Sequence, residues 1–104
     1  MDMMKLMQQA QQMQAGLQQM QAELEQRTVT GMAGGGMVRV EADGKGTVRK
    51  VTLDPQVVDP RDVAMLEDLI AVAVADAQRA VARLQEEETR RLTGGLALPF
   101  DLPG

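Results

Sequence analysis

The stretch DPRDVAMLEDLIAVAVADAQRAVARLQEEETRRL, residues 59–92, decides the fold. Its apolar residues recur at Val63, Leu66, Ile70, Ala73, Ala77, Ala80 and Leu84, in steps of three and four. That spacing keeps one face of a helix apolar. Leu69, Val74 and Val81 make the stripe wider than a coiled-coil seam. The start reads as an Asp59 cap with Pro60 at the first helical position, where a missing N–H does no harm. Asp62 in the first turn and Arg90 and Arg91 in the last suit the helix dipole, and Gly94-Gly95 ends the element. A helix over about residues 60–92 is a rod of roughly 50 Å. That is long beside the ~13 Å radius of gyration of a compact chain of this size, so part of this helix is expected to project from its domain.

A second rod precedes it. Met3, Leu6, Ala10, Met13, Leu17, Met20 and Leu24 repeat the same alternation over residues 3–26, a coiled-coil-like pattern with Gln at most other positions. Gly16 interrupts a helix interior at a penalty of ~1 kcal/mol and is read as drift, with close approach of another backbone as the alternative. Between the rods the period changes to two. Thr28-Val29-Thr30-Gly31 reads as a short strand, residues 28–31. Residues 37–43 set Val38, Val40 and Ala42 against Arg39, Glu41 and Asp43, and residues 47–53 form the return strand, bounded by Asp54-Pro55. The expected fold is α+β, in the order α-β-β-β-α, with a three-stranded antiparallel sheet covered by two long helices. Residues 1–95 make the single domain, and 96–104 read as a flexible tail, with docking of Phe100 into a groove of a dimer as the alternative. The sheet is too small to bury both stripes, so a homodimer is expected, with Met13, Leu17, Met20, Leu66, Ile70, Ala73 and Ala77 as candidate interface residues.

Composition narrows the chemistry. The chain has 104 residues, no Cys, His, Trp or Tyr, one Phe and a net charge of −4. Ser and Asn are also missing, so the usual nucleophiles and near-neutral bases are gone. No catalytic residues, metal site or cofactor are expected, and no small-molecule substrate. No apolar run reaches the ~20 residues of a membrane span, and the start lacks the apolar core of a secretory signal, so a cytoplasmic protein is expected.

The local motifs read plainly. Gly44-Lys45-Gly46-Thr47 resembles a piece of a phosphate loop but leads into a strand, so it is read as a hairpin turn. Gly34-Gly35-Gly36 is read as a flexible or bulged connection. Glu67-Asp68 and Glu86-Glu87-Glu88 are read as solvated faces. Arg79, Arg83 and Arg90 fall within roughly 40° of one another on the helix, away from the apolar stripe, a row that can follow a phosphate backbone. Asp76, Glu86 and Glu87 stand at ion-pair spacings from them, which is the competing reading. No aromatic residues interleave with the cations for base stacking.

The sequence resembles the YbaB/EbfC nucleoid-associated proteins. The resemblance lies in Met3-Met4-Lys5 through Gln21, Val29-Thr30-Gly31, Gly34 through Val38, Val48 through Pro55, Met65-Leu66-Glu67-Asp68-Leu69-Ile70 and Thr93-Gly94-Gly95. It implies a homodimer with helices packed between two outer sheets, projecting helical arms, binding of double-stranded DNA and a place on the nucleoid, with roles in chromosome organisation and gene regulation. It carries no DNA-contacting positions. The candidates therefore come from charge on the helix ends: Lys5, Arg79, Arg83, Arg90 and Arg91, with Lys5 near Arg90 and Arg91 if the rods run antiparallel. The alternative function is a protein-interaction adaptor in DNA repair or recombination, using a Met-lined helical groove.

Overall fold

The computed structural model describes residues 2–94. Along the chain come α1 (Met3–Gln26), β1 (Thr28–Ala33), β2 (Val38–Asp43), β3 (Val48–Leu53), a 3-10 turn (Pro55–Val57) and α2 (Val63–Thr93). The strands form one antiparallel sheet in the order β1-β2-β3. This is the α-β-β-β-α arrangement read from the periodicities. The tail, with Phe100, lies outside the described residues.

Several boundaries move for identifiable reasons. Helix α2 starts at Val63, because Asp62 rather than Asp59 caps it, accepting from the Met65 N–H at 3.2 Å. Asp59 is occupied one turn earlier: its carboxylate accepts from the backbone N–H of Arg61 at 2.9 Å and from its guanidinium at 3.1 Å. Gly94 ends the helix in the left-handed conformation. Strand β1 does not stop at Gly31 but runs to Ala33, because Gly31, Met32 and Ala33 pair with Val40, Arg39 and Val38. The glycines that follow are an ordered turn, with φ of 62°, 67° and 91° at Gly34, Gly35 and Gly36, values that only glycine adopts freely.

The sheet's inner face carries Gly31 and Ala33 of β1, Val38, Val40 and Ala42 of β2, and Val51 and Leu53 of β3. A one-residue bulge at Arg49 brings Val48 opposite Ala42 and onto the same face. Among the described residues α2 covers most of that face and α1 reaches only the β2 end through Leu24, so the expectation that both helices cover it holds only there. The reason is Gly31. A Cβ there would stand 2.2 Å from the Ala77 nitrogen and 2.3 Å from the Ala73 oxygen. With no side chain in the way, α2 settles backbone to backbone onto β1, and Asp76 reaches over the sheet edge to accept the Met32 N–H at 3.0 Å. The core is Ala33, Val38, Val40, Val57, Ala73 and Ala77, with Leu66, Leu69 and Ile70 packed against it. Seated over β1 and β2, α2 leaves β3 uncovered: Val48 and Val51 are 46% and 45% exposed.

The projecting rod is therefore α1, not α2. Helix α1 is capped by Asp2, which accepts from the Met4 N–H at 3.1 Å. It buries only Leu24. Its last turns lie antiparallel to the end of α2, where Gly16 meets Leu92, a Cβ at Gly16 falling 2.8 Å from the Leu92 Cδ1. Gly16 thus sits at a close helix–helix approach, the alternative to drift, although what it meets is a side chain rather than a backbone. Beyond Leu92, which also borders Gln9, Gln12 and Met13, α1 projects without further support among the described residues, and the molecule measures 70 × 28 × 16 Å.

Candidate nucleic-acid interface

The basic residues of α2 sort by their partners. Arg79 pairs with Asp76 at 3.5 Å and Arg90 with Glu86 at 2.5 Å, both at helix-surface spacings. Such exposed pairs are worth ~0.3–0.5 kcal/mol and leave most guanidinium donors open to a phosphate. Arg83 is exposed and has no ion pair among the described residues, so the Glu87 spacing is not used. The three side chains rise along the side of α2 turned away from Ala73, Ala77, Val81 and Leu84, the buried stripe. Arg91 points another way. It pairs with Glu88 at 3.0 Å and lines a cleft with Gln19 and Glu23 of α1. Glu88 itself is buried, which corrects its reading as part of a solvated cluster. The signal was available: Glu88 continues the stripe Ala77, Val81, Leu84 by one more step of four.

Lys5 is not beside Arg90 and Arg91. Arg91 lies level with Gln19, and fourteen residues of helix carry Lys5 about 20 Å further along the arm. Lys5 is exposed there, with no ion pair among the described residues. The whole span from Met3 to Ala22 contains no carboxylate, so the arm is locally neutral to basic in an acidic chain. On the outer sheet face Arg39 and Lys50 are also exposed and outside the ion pairs of the described residues.

The candidate interface residues divide. Ala73 and Ala77 are 0% and 2% exposed against Gly31 of their own chain, and nothing of them is left for a partner. Leu66 and Ile70 pack on the same core and are only partly open. Met13 and Leu17 on α1 remain exposed, and Met20 is half-buried. What the periodicity missed is a trough beside α2. Val81 lies 3.9 Å from where a Gly46 Cβ would be, and Gln85 donates to the Gly44 oxygen at 3.0 Å, so this side of the helix faces the β2–β3 hairpin. Val74, Gln78 and Ala71 continue that side within roughly 80°. Together with Val48 and Val51 they border an open apolar trough, which the exposed Val63 extends along the same side of α2.

The hairpin turn is tied down electrostatically. Asp43 is buried, and its carboxylate accepts from the Arg49 guanidinium at 2.7 Å and from the N–H groups of Lys45 and Thr47 at 2.9 and 3.1 Å. The Arg49 hydrogen bond, helped by the two backbone donors and opposed by burial, holds this carboxyl below its ordinary pKa. The Gly44–Thr47 loop is thus a turn whose amides are all taken, two by the Asp43 carboxylate and those of Gly44 and Gly46 by the Leu24 and Asp43 carbonyls, and a phosphate would find none free. Among the described residues, no group of three His, Cys, Asp or Glu could hold a metal ion, and no helix is long and apolar enough to cross a membrane.

Residues 1–96 match the model of the YbaB/EbfC DNA-binding family. This chain belongs to that family. Among its relatives, a nucleoid-associated protein of Gemmatimonas aurantiaca is 48% identical, with 99% of each chain covered. One of Beijerinckia indica is also 48% identical, over 95% of this chain and 98% of its own. The fold is similar to that of the uncharacterized protein HP0035 from Helicobacter pylori, with a TM-score of 0.78 at 21% identity, covering 90% of this chain and 99% of that one. The family match spans α1, the sheet and α2 together, so the arm and the open trough both lie within the matched region.

Proposed function

We propose that this protein is a non-enzymatic, nucleoid-associated homodimer that binds double-stranded DNA, and so contributes to chromosome organisation and gene regulation. The observation that carries the DNA reading is the family match over residues 1–96. The relatives' name, nucleoid-associated protein, supports a place on the nucleoid in the cytoplasm.

The dimer follows from the open trough. The buried apolar set of the described chain is ten residues, eight of them Ala or Val, while fourteen large apolar side chains stand exposed. So small a core rarely sustains a domain of this length alone. A helix from a second copy, seated between α2 and the inner face of β3, would cover Val48, Val51 and Val63 and give two outer sheets with helices between them. Met13 and Leu17 add to the buried surface where the arms approach. A contact of this apolar kind resembles an obligate interface.

On the outside of that dimer, Arg79, Arg83 and Arg90 form a basic edge on each α2, with Lys5 on each arm. The rows supply a few phosphate contacts per protomer and no base-stacking aromatics, which favours duplex over single strands. With an overall charge of −4, binding per dimer is weak, with a non-specific Kd of about 10⁻⁴ to 10⁻⁶ M at physiological salt. The test is a duplex titration at several salt concentrations. Affinity falls steeply with salt, and Arg83→Glu with Arg90→Glu weakens it while sedimentation still reports a dimer. A flat salt response would remove the reading, and unchanged affinity would clear those two arginines. Exposed Met3, Met4 and Met7 at the arm tip favour the adaptor as the second reading. Partners that survive nuclease treatment of a lysate would support it.

A further inference from the structure

Two charged side chains are buried among the described residues, Asp43 and Glu88. Asp43 is accounted for by its turn; Glu88 is not. It sits near the end of α2, and its Oε1 accepts from Arg27 at 3.2 Å and from Arg91 at 3.0 Å. The carboxylate side chain is 9% exposed, whereas those of Arg27 and Arg91 are 52% and 73% exposed. Arg27 is the C-cap of α1, the residue at which the arm joins the sheet. Glu88 therefore ties the root of the arm to the last turns of α2.

Among the described residues, the buried Leu24 anchors that root against the β2–β3 turn, and a few polar contacts join it. The Gly44 N–H donates to the Leu24 oxygen at 2.8 Å, and Lys45 pairs with Glu25 at 3.1 Å in the open. Higher up, Gly16 rests on Leu92. From Arg27 to Lys5 the arm is a lever of about 33 Å, so a 10° change at the root moves its tip by about 6 Å. The buried carboxylate at the pivot joins these contacts in setting the separation between Lys5 and the arginine edge of α2. It also favours one setting: swinging the arm away withdraws Arg27 and leaves a buried anion with fewer partners, a costly state.

We propose that Glu88 is a positioning residue for DNA binding, holding the α1 arm at the angle from which Lys5 and the edge Arg79, Arg83 and Arg90 reach one duplex. This rests on the DNA reading above, but its first test does not. The chain has no cysteine, so Gln8→Cys and Thr52→Cys accept spin labels only where placed. Doubly labelled chains diluted into excess unlabelled protein report the distance from arm to sheet within one chain, without DNA. The wild-type background gives a narrow distribution. Glu88→Ala broadens it by several ångströms, and Glu88→Gln, which keeps an acceptor oxygen, recovers part of the narrowness. If the variant arm holds the competent angle about a tenth of the time, the apparent Kd for a duplex rises about tenfold with helix content unchanged. Should Glu88→Ala fail to fold, Arg27→Gln with Arg91→Gln opens the same latch from its exposed side. Unchanged distance distributions in the variants that fold would overturn the proposal, as would a broadened arm with unaltered affinity. Failure of the wild type to bind any duplex would remove the DNA reading instead, and the distances alone would then judge the latch.

Discussion

Gly31→Ala is the substitution on which the architecture turns. Gly31 does not have a positive φ, so alanine fits its backbone conformation and only space is at issue. The new Cβ would lie 2.2 Å from the Ala77 nitrogen, 2.3 Å from the Ala73 oxygen and 2.8 Å from the Ala77 Cα. All three are backbone atoms of a helix and cannot rotate aside. Reaching ordinary contact means lifting α2 off β1 by about 1 Å, which forfeits packing along the whole seam. Overpacking of this kind costs about 1–3 kcal/mol, and stretching the Asp76 bond to the Met32 N–H adds about 1 kcal/mol. The intrinsic advantage of alanine over glycine in a strand returns about 0.5–1 kcal/mol. The net is a destabilisation of about 2 kcal/mol, or roughly 8 to 16 °C in Tm for a domain of this size. The assay is denaturant and thermal unfolding followed by circular dichroism at one fixed protein concentration, since a dimer's stability depends on concentration. A change below about 0.5 kcal/mol would mean that α2 does not sit on Gly31 as described, and the account of the uncovered β3 would fail with it.

Gly16→Ala is the contrasting case. Its Cβ would meet only the end of the Leu92 side chain at 2.8 Å, which can turn away, while helix propensity improves by ~1 kcal/mol. Unfolding should show unchanged or higher stability, and a large loss would mean a tighter α1–α2 contact than this one. Val51→Glu places a charge in the open trough, where Val51 is 45% exposed in the single chain. Sedimentation should find the dimer lost, with a marked fall in stability because the single core is small, and a persisting dimer would rule the trough out as the interface. The acid limb of stability should also depend on Asp43. Its carboxyl lies below the 3.8 at which an unperturbed one titrates, so the unfolded chain takes up the proton first. The resulting stability is fully present above about pH 4 and is lost as pH falls through the lower folded value, with Asp59 adding in the same direction. Asp43→Asn should therefore be less stable than wild type at neutral pH, with the gap closing below about pH 4 in pH-dependent unfolding.

Periodicity alone determined the elements of this protein. Steps of three and four at Leu66, Ile70, Ala73, Ala77 and Leu84, and at Leu6, Met13, Leu17 and Leu24, can only be satisfied by helices. The alternation Val38, Val40, Ala42 between turn residues likewise requires a strand. These are local properties, set by the geometry of the backbone, and the order α-β-β-β-α follows from them. The basic row on α2 was legible for the same reason, since a helix of known pitch places Arg79, Arg83 and Arg90 on one side. What the pattern could not say is which apolar face meets which. Ala73 and Ala77 look equally fit for a partner subunit or for their own sheet; the close approach at Gly31 gives them to the sheet. Glu88 looks solvated among its acidic neighbours until the antiparallel seating of α1 on α2 brings Arg27 to it across sixty-one positions of sequence. The arm, the trough and the latch are relations between distant residues, and only the tertiary structure decides them, because the packing energy that selects them depends on surfaces that no single segment contains.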